Sequence, residues 1–154
     1  MLAAIKVLLV DNDEGIRKSL SLFFQDKGNL MHSFENAKDV FDFTGWVEYD
    51  LILCDSILPD MLGLDFFEKI KNRYKNSLKI LMTAYGNNMS LEKINAAGID
   101  YVLLKPFSGD ELENILTRLI KKKECDQKST YQQVRLGTKP RLRVKQIRER
   151  GGSI

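Results

Sequence analysis

Two cysteines, one histidine and one tryptophan among 154 residues leave several kinds of chemistry without their usual ligands. Cys54 and Cys125 stand in unlike surroundings and at no metal-ligand spacing, which argues against both a disulfide framework and a cysteine-bound metal. No apolar run approaches the roughly 20 residues needed to cross a bilayer, so no membrane insertion is expected. The opening MLAAIKVLLV is apolar, but acidic DNDE follows where a secretory signal would place small residues for cleavage. A reducing, cytoplasmic setting is therefore the expectation. What is present, 44% apolar and 29% charged residues, suffices for one compact domain with a real core and leaves room for an appendage.

Charge is unevenly placed. Residues 1–120 hold 13 Lys/Arg and 18 Asp/Glu, a net of −5, whereas residues 121–154 hold 11 and 3, a net of +8. An acidic body thus bears a basic tail. From about residue 125 the apolar pattern dissolves into scattered residues with Gly, Pro and a Gly-Gly pair, which reads as a flexible or conditionally ordered segment. The expected division is a domain over 1–124 and a basic, flexible tail or linker over 125–154.

Within the body, strand and helix patterns alternate five times. Ile5–Val10 and Leu51–Cys54 are short apolar runs of the kind covered on both faces. Leu30–Phe34, Leu78–Met82 and Tyr101–Leu104 supply the other strands. Between them Ile16, Leu20, Phe23 and Phe24 share one helical stripe that Gly28 stops. Further helices are marked by Ala37, Val40 and Phe41, by Phe66, Phe67, Ile70 and Tyr74, and by Leu91, Ile94 and Ala97. Ser108 and Glu111 form a capping box for the last helix, and Lys121, Lys122 and Lys123 fall in its expected final turn. Five βα units predict an α/β fold: a doubly wound, five-stranded parallel sheet with helices on both faces, a flavodoxin-like βα repeat.

In such a sheet, ligands bind at the carboxyl ends of the strands. Asp11, Asn12 and Asp13 follow the first strand, Asp55 the third, Thr83 the fourth and Lys105 the fifth. Any one of them alone would be an ordinary turn or cap residue. Together they put carboxylates, a hydroxyl and an ammonium on one rim, and each suits phosphoryl transfer. A carboxylate can attack phosphorus, oxygen donors suit Mg²⁺, and a hydroxyl and a lysine can steady the phosphoryl oxygens. His32, in an expected strand away from this rim, reads as packing. Cys54 reads as a small buried residue, and Trp46 and Phe41 as anchors of the loop before the third strand.

The segments VLLVDNDEG, LILCDSILPDMLGLD, ILMTAYG and YVLLKPF, over residues 5 to about 123, resemble the response-regulator receiver family of two-component signalling. That resemblance implies Asp55 as phosphoacceptor, within a D-x-x-x-P-x-x-x-G pattern ending at Pro59 and Gly63. It implies Mg²⁺ or Mn²⁺ held by Asp11, Asn12, Asp55 and the Ile57 carbonyl. It also implies phosphate contacts from Ser56, Thr83, Ala84 and Lys105, and a cis Lys105-Pro106 bond. A sensor histidine kinase or phosphotransfer protein would be the partner; a homodimer is allowed, and the tail hints weakly at nucleic acid. The chain would then be a signalling phosphoacceptor that assists its own modification, and not an enzyme in the usual sense. Two positions depart from the family. Asn12 stands where a second acidic ligand is usual, with Asp13 as a conceivable substitute. Val102 stands at the aromatic switch position paired with Thr83, with Tyr101 one residue early.

A rival reading takes VLLVDNDEG as the D-x-D motif of haloacid-dehalogenase-like phosphatases, with Asp11 as nucleophile and Asp13 as acid/base. ILMTAYGNNMS lacks the further acidic pair which that family needs.

Overall fold

A computed structural model of the chain describes residues 4–43, 47–86 and 89–135, with side chains as far as Ser129. Strands and helices alternate as β1 (Lys6–Val10), α1 (Glu14–Gln25), β2 (Leu30–Phe34), α2 (Ala37–Asp42), β3 (Leu51–Asp55), α3 (Gly63–Ile70), β4 (Leu78–Thr83), α4 (Leu91–Ala96), β5 (Tyr101–Leu104) and α5 (Gly109–Arg135). All pairings are parallel, in the order β2-β1-β3-β4-β5. The chain reverses direction across the sheet between β1 and β3, which is where an open α/β sheet forms its ligand crevice.

The apolar runs become strands because both faces of the sheet are covered. Leu8, Val10, Ile52, Cys54 and Leu81 face Ala37, Phe66, Phe67, Ile70 and Ile94 from α2, α3 and α4. The alternate residues, among them Val7, Leu9, Leu53, Ile80 and Met82, are also fully buried. Leu20 and Phe24 of α1 and Leu112, Ile115 and Leu116 of α5 supply the buried helical side chains that remain. Each such side chain contributes about 1.5–3 kcal/mol by leaving water. Lys27 pairs with Glu113 at 2.9 Å, tying the turn after α1 to the first turns of α5.

Local signals set the element ends. Gly28 stops α1 with a φ of 73°, a left-handed conformation that an L side chain rarely adopts. The Ser108 hydroxyl accepts from the Glu111 N–H at 3.1 Å, making one half of the expected capping box.

Three expectations need correction. First, α5 continues to Arg135, so residues 125–135 are helical where the sequence pattern dissolves, and Lys121, Lys122 and Lys123 lie inside the helix and not in its last turn. Past Ile120 the helix sequence is mostly polar, with only scattered apolar residues, so it carries no apolar stripe by which periodicity could reveal it. Second, Tyr74 lies beyond the end of α3, in the turn before β4, although it is buried there. Third, Phe41 is about half exposed, and its ring meets Phe66 on α3 at a centroid distance of 5.8 Å. Trp46 lies outside the described residues, as does the tail beyond Arg135.

Candidate functional site

Strand register brings the polar residues together. Val10 pairs with Cys54, Asp55 with Met82, and Thr83 with Leu104, so Asp11, Asp55, Thr83 and Lys105 all emerge at the same rim. Asp11 is fully buried. Its backbone N–H continues the ladder to the Phe34 carbonyl at 3.0 Å, and its Oδ1 accepts from the Asp13 N–H at 2.8 Å. Lys105 Nζ then donates to Asp11 Oδ2 at 2.8 Å and to Asp55 Oδ1 at 3.1 Å. One ammonium therefore spans both carboxylates. The Lys105-Pro106 bond is cis, as the family resemblance implies.

These contacts set the protonation energetics. Burial pushes the Asp55 carboxyl above its ordinary value near 3.8; the bond to Lys105 pulls it down, the charge on Asp11 pushes it up again, and the net is a rise. For Lys105, burial lowers the affinity for its proton, but bonds to Asp11 and Asp55 outweigh that and hold the ammonium above 10.5. Cys54 is pushed far up, first by burial and then by the charges of Asp55 and Asp11. It stays a thiol and donates to the Asp55 carbonyl at 3.2 Å, the inert role expected of it.

Thr83, at the end of β4, is also buried. Its Oγ1 accepts from the Tyr85 N–H at 3.1 Å and from Ser56 Oγ at 3.0 Å. Ser56 in turn donates its N–H to Asp55 Oδ1 at 2.9 Å and to the Met82 carbonyl at 2.7 Å. Ala84 follows Thr83 at the surface and, with Lys105, borders an open recess lined by Ile16, Phe23, Pro106 and Phe107.

The loop after Asp55 folds back on itself. Ile57 and Leu62 form an antiparallel bridge closed by Leu58 N–H to Met61 O at 3.0 Å and Gly63 N–H to Ser56 O at 2.9 Å. Neither bond uses the Ile57 carbonyl. Gly63 is required by closeness: a Cβ there would sit 2.2 Å from the Asp55 carbonyl oxygen and 2.8 Å from Leu81 Cδ1. Asp60 reaches across to α2, its carboxylate accepting from Ala37 N–H at 3.1 Å and Lys38 N–H at 2.8 Å. Desolvation pushes Asp60 up, but these backbone donors win and lower it.

The donor set fits a hard divalent cation. Two carboxylates, the Asn12 amide and the Ile57 carbonyl are all oxygen donors. Among the described residues no three His, Cys, Asp or Glu side chains gather as a metal-binding group. The Asp13 side chain caps α1, its Oδ1 accepting from the Ile16 N–H at 3.1 Å. Val102 packs against the core beneath α2, α3 and α4, and Tyr101 pairs with Ile80 three positions before Thr83, so neither sits at the rim.

Sequence reasoning missed several partners. Arg17 donates to the Asp11 carbonyl at 2.7 Å and pairs with Glu35 at 2.9 Å. The Ser56–Thr83 bond and the Asp60 bonds had no spacing signal. Lys79 did leave one, a lysine inside an apolar strand: it is buried, donating to the carbonyls of Tyr74 at 2.5 Å and Ser77 at 3.2 Å. His32 is a packing residue, bonded to the Tyr49 hydroxyl at 2.8 Å and edge-on to Phe43.

Known proteins share this family and this fold. The sequence profile described as the response regulator receiver domain matches residues 7–117. The chain is 30% identical over 121 residues to the regulatory protein AtoC of Escherichia coli, covering 78% of this chain and 26% of that protein. It is 29% identical over 115 residues to sporulation initiation phosphotransferase F of Bacillus subtilis, covering 75% and 93% respectively. The signal receiver domain of an HD domain-containing protein from Pseudomonas fluorescens superposes with a TM-score of 0.71 at 25% identity, over 80% of this chain and 99% of that one. The chain spans from about a quarter to about half the length of the first curated relatives it matches. The comparisons give the phosphatase reading no support, and Asp13, its acid/base, is occupied in capping α1. With the profile covering most of the chain and the strand-end geometry in agreement, the protein belongs to the receiver domain family of two-component response regulators.

Proposed function

We propose that Asp55 accepts a phosphoryl group from the phosphohistidine of a sensor histidine kinase or phosphotransfer protein. The observation that carries this is the pair of hydrogen bonds from Lys105 Nζ to Asp11 and Asp55, which gathers two carboxylates and one cation at the strand ends. In the transfer, an Asp55 carboxylate oxygen attacks phosphorus while the P–N bond to the donor imidazole breaks, and the imidazole keeps the electron pair. The transition state is loose and in line, so positioning and charge stabilisation are the protein's contribution. Lys105 exchanges its Asp55 oxygen for a phosphoryl oxygen. The Thr83 hydroxyl and the backbone N–H groups of Ser56 and Ala84 supply further donors.

Asp11, Asn12, Asp55 and the Ile57 carbonyl would hold Mg²⁺ or Mn²⁺, whose charge offsets that of the carboxylates and phosphoryl oxygens. Asn12 brings an oxygen without charge, so cation binding is weaker than with an acidic residue there.

The chain is thus a signalling phosphoacceptor that takes part in its own phosphorylation and dephosphorylation. The added charge biases the loop after Thr83 and the packing of α4, altering what those surfaces bind. With Val102 at the aromatic switch position and Tyr101 one residue early, the readout leans on Thr83 and its loop. Residues 1–124 form the receiver, and the basic segment 125–154 is a linker toward an output partner, with nucleic acid, an anionic membrane surface or an acidic partner as alternatives. The working compartment is the cytoplasm. Phosphorylation by a small phosphodonor with Mg²⁺, followed by mass spectrometry, should add one phosphoryl group to the wild type and none to Asp55→Asn. Undiminished labelling of that variant sinks the assignment.

A further inference from the structure

The Ser56 hydroxyl belongs to no part of the mechanism above, yet it lies 3.0 Å from Thr83 Oγ1. Ser56 also holds the acceptor carboxylate through its N–H, 2.9 Å from Asp55 Oδ1. One residue therefore touches both the carboxylate at the end of β3 and the hydroxyl at the end of β4. The count of lone pairs at Thr83 gives this contact a meaning. A threonine hydroxyl has two acceptor positions and one proton to donate. The Tyr85 N–H takes one acceptor position at 3.1 Å and Ser56 takes the other. What Thr83 has left to offer is its proton, and phosphoryl oxygens are acceptors.

We infer that Ser56 is a positioning residue which fixes the Thr83 side chain and commits its hydroxyl to donation before any phosphoryl group arrives. Thr83 is buried and anchored at its carbonyl by the Lys105 N–H at 2.8 Å, so its backbone is fixed and its side-chain torsion is the freedom that remains. The Ser56 bond removes that freedom. A hydroxyl oriented in advance loses no rotational entropy when the phosphoryl oxygen appears, which is the gain from preorganisation. The inference rests on the reading of Asp55 and Thr83 given above, and the test separates the two.

Ser56→Ala deletes the hydroxyl, and Ser56→Thr keeps it. In metal-free, unmodified protein, the three-bond couplings of Thr83 measured by NMR should report one χ1 rotamer for wild type and Ser56→Thr and averaged rotamers for Ser56→Ala. With Mg²⁺ present, beryllofluoride titrated calorimetrically should bind Ser56→Ala about fivefold more weakly than wild type, the factor for one net hydrogen bond. Ser56→Thr should restore the affinity, and adding Ser56→Ala to Thr83→Ala should cost nothing more, because the effect passes through Thr83. A single Thr83 rotamer in Ser56→Ala, or equal loss in the Thr83→Ala background, overturns the inference. If wild type itself fails to bind beryllofluoride, the phosphoacceptor reading fails, while the NMR couplings still decide the role of Ser56.

Discussion

Buried Lys79 and half-buried Lys105 lie at opposite ends of the same sheet, and they are held in different ways. Lys79, one residue into β4, donates to the carbonyls of Tyr74 and Ser77, backbone atoms in the turn that leads from α3. Lys105, just past β5, donates to the side chains of Asp11 and Asp55. Backbone carbonyls in a packed turn have nowhere else to go, so the first arrangement secures the fold. Carboxylates can exchange the ammonium for a cation or a phosphoryl oxygen, so the second arrangement can be traded during a reaction. The lesson is that burial of a cation says little about its role until its partners are named.

Replacing each lysine by methionine, which keeps the aliphatic stem, tests that contrast. Lys105→Met should have the largest effect, lowering the rate of phosphoryl uptake at Asp55 by on the order of 10²-fold, as for removal of one preorganised donor. A loss of less than about threefold would show that Lys105 is a structural cation like Lys79. Lys79→Met should leave uptake by the folded protein within about twofold, since it lies at the far rim. Its cost should appear instead in urea unfolding, as about 1–3 kcal/mol for carbonyls deprived of a donor, with the denaturant slope unchanged. Full stability would mean that Tyr74 and Ser77 find other donors.

The smallest expected effect concerns pH. Asp55 holds its proton more tightly in the folded protein than the ordinary value near 3.8. The folded state therefore binds more protons than the unfolded chain between 3.8 and the raised value, and stability falls as pH rises through that interval. Asp55→Asn removes this loss, so in metal-free buffer its urea midpoint should exceed that of wild type at neutral pH. The gain should vanish once the pH drops below 3.8, where both states are protonated. A gain equal at both pH values would trace the change to packing and not to charge.

Much of this was legible in the sequence for a simple reason. Apolar runs such as Leu51–Cys54 and Leu78–Met82 are strands buried on both faces, and the residue where such a run stops is the residue that emerges at the rim. Asp11, Asp55, Thr83 and Lys105 could be placed together because a parallel sheet puts every strand's end on one side. The cross-links between loops were not legible. Ser56 and Thr83 lie 27 residues apart and meet through strand register and side-chain torsion, neither of which leaves a pattern in composition. Asn12 and Asp13 stayed ambiguous until the capping bond from Ile16 showed what Asp13 does. The helical stretch beyond Ile120 was hidden because a helix without an apolar stripe looks like a linker.

The carboxylate of Asp60 spans the amides of Ala37 and Lys38, in the loop that also carries Ile57 and the bridge to Leu62. That loop cannot lift away without uncovering those two amides. Their deuterium uptake is therefore a clock for the opening of the acceptor loop, readable in α2 without a probe placed at Asp55 itself. The Asn36 side chain, which caps α2 by accepting from the Asp39 N–H at 2.8 Å, stays in place when Asp60 leaves, so the two amides should exchange ahead of the rest of the helix.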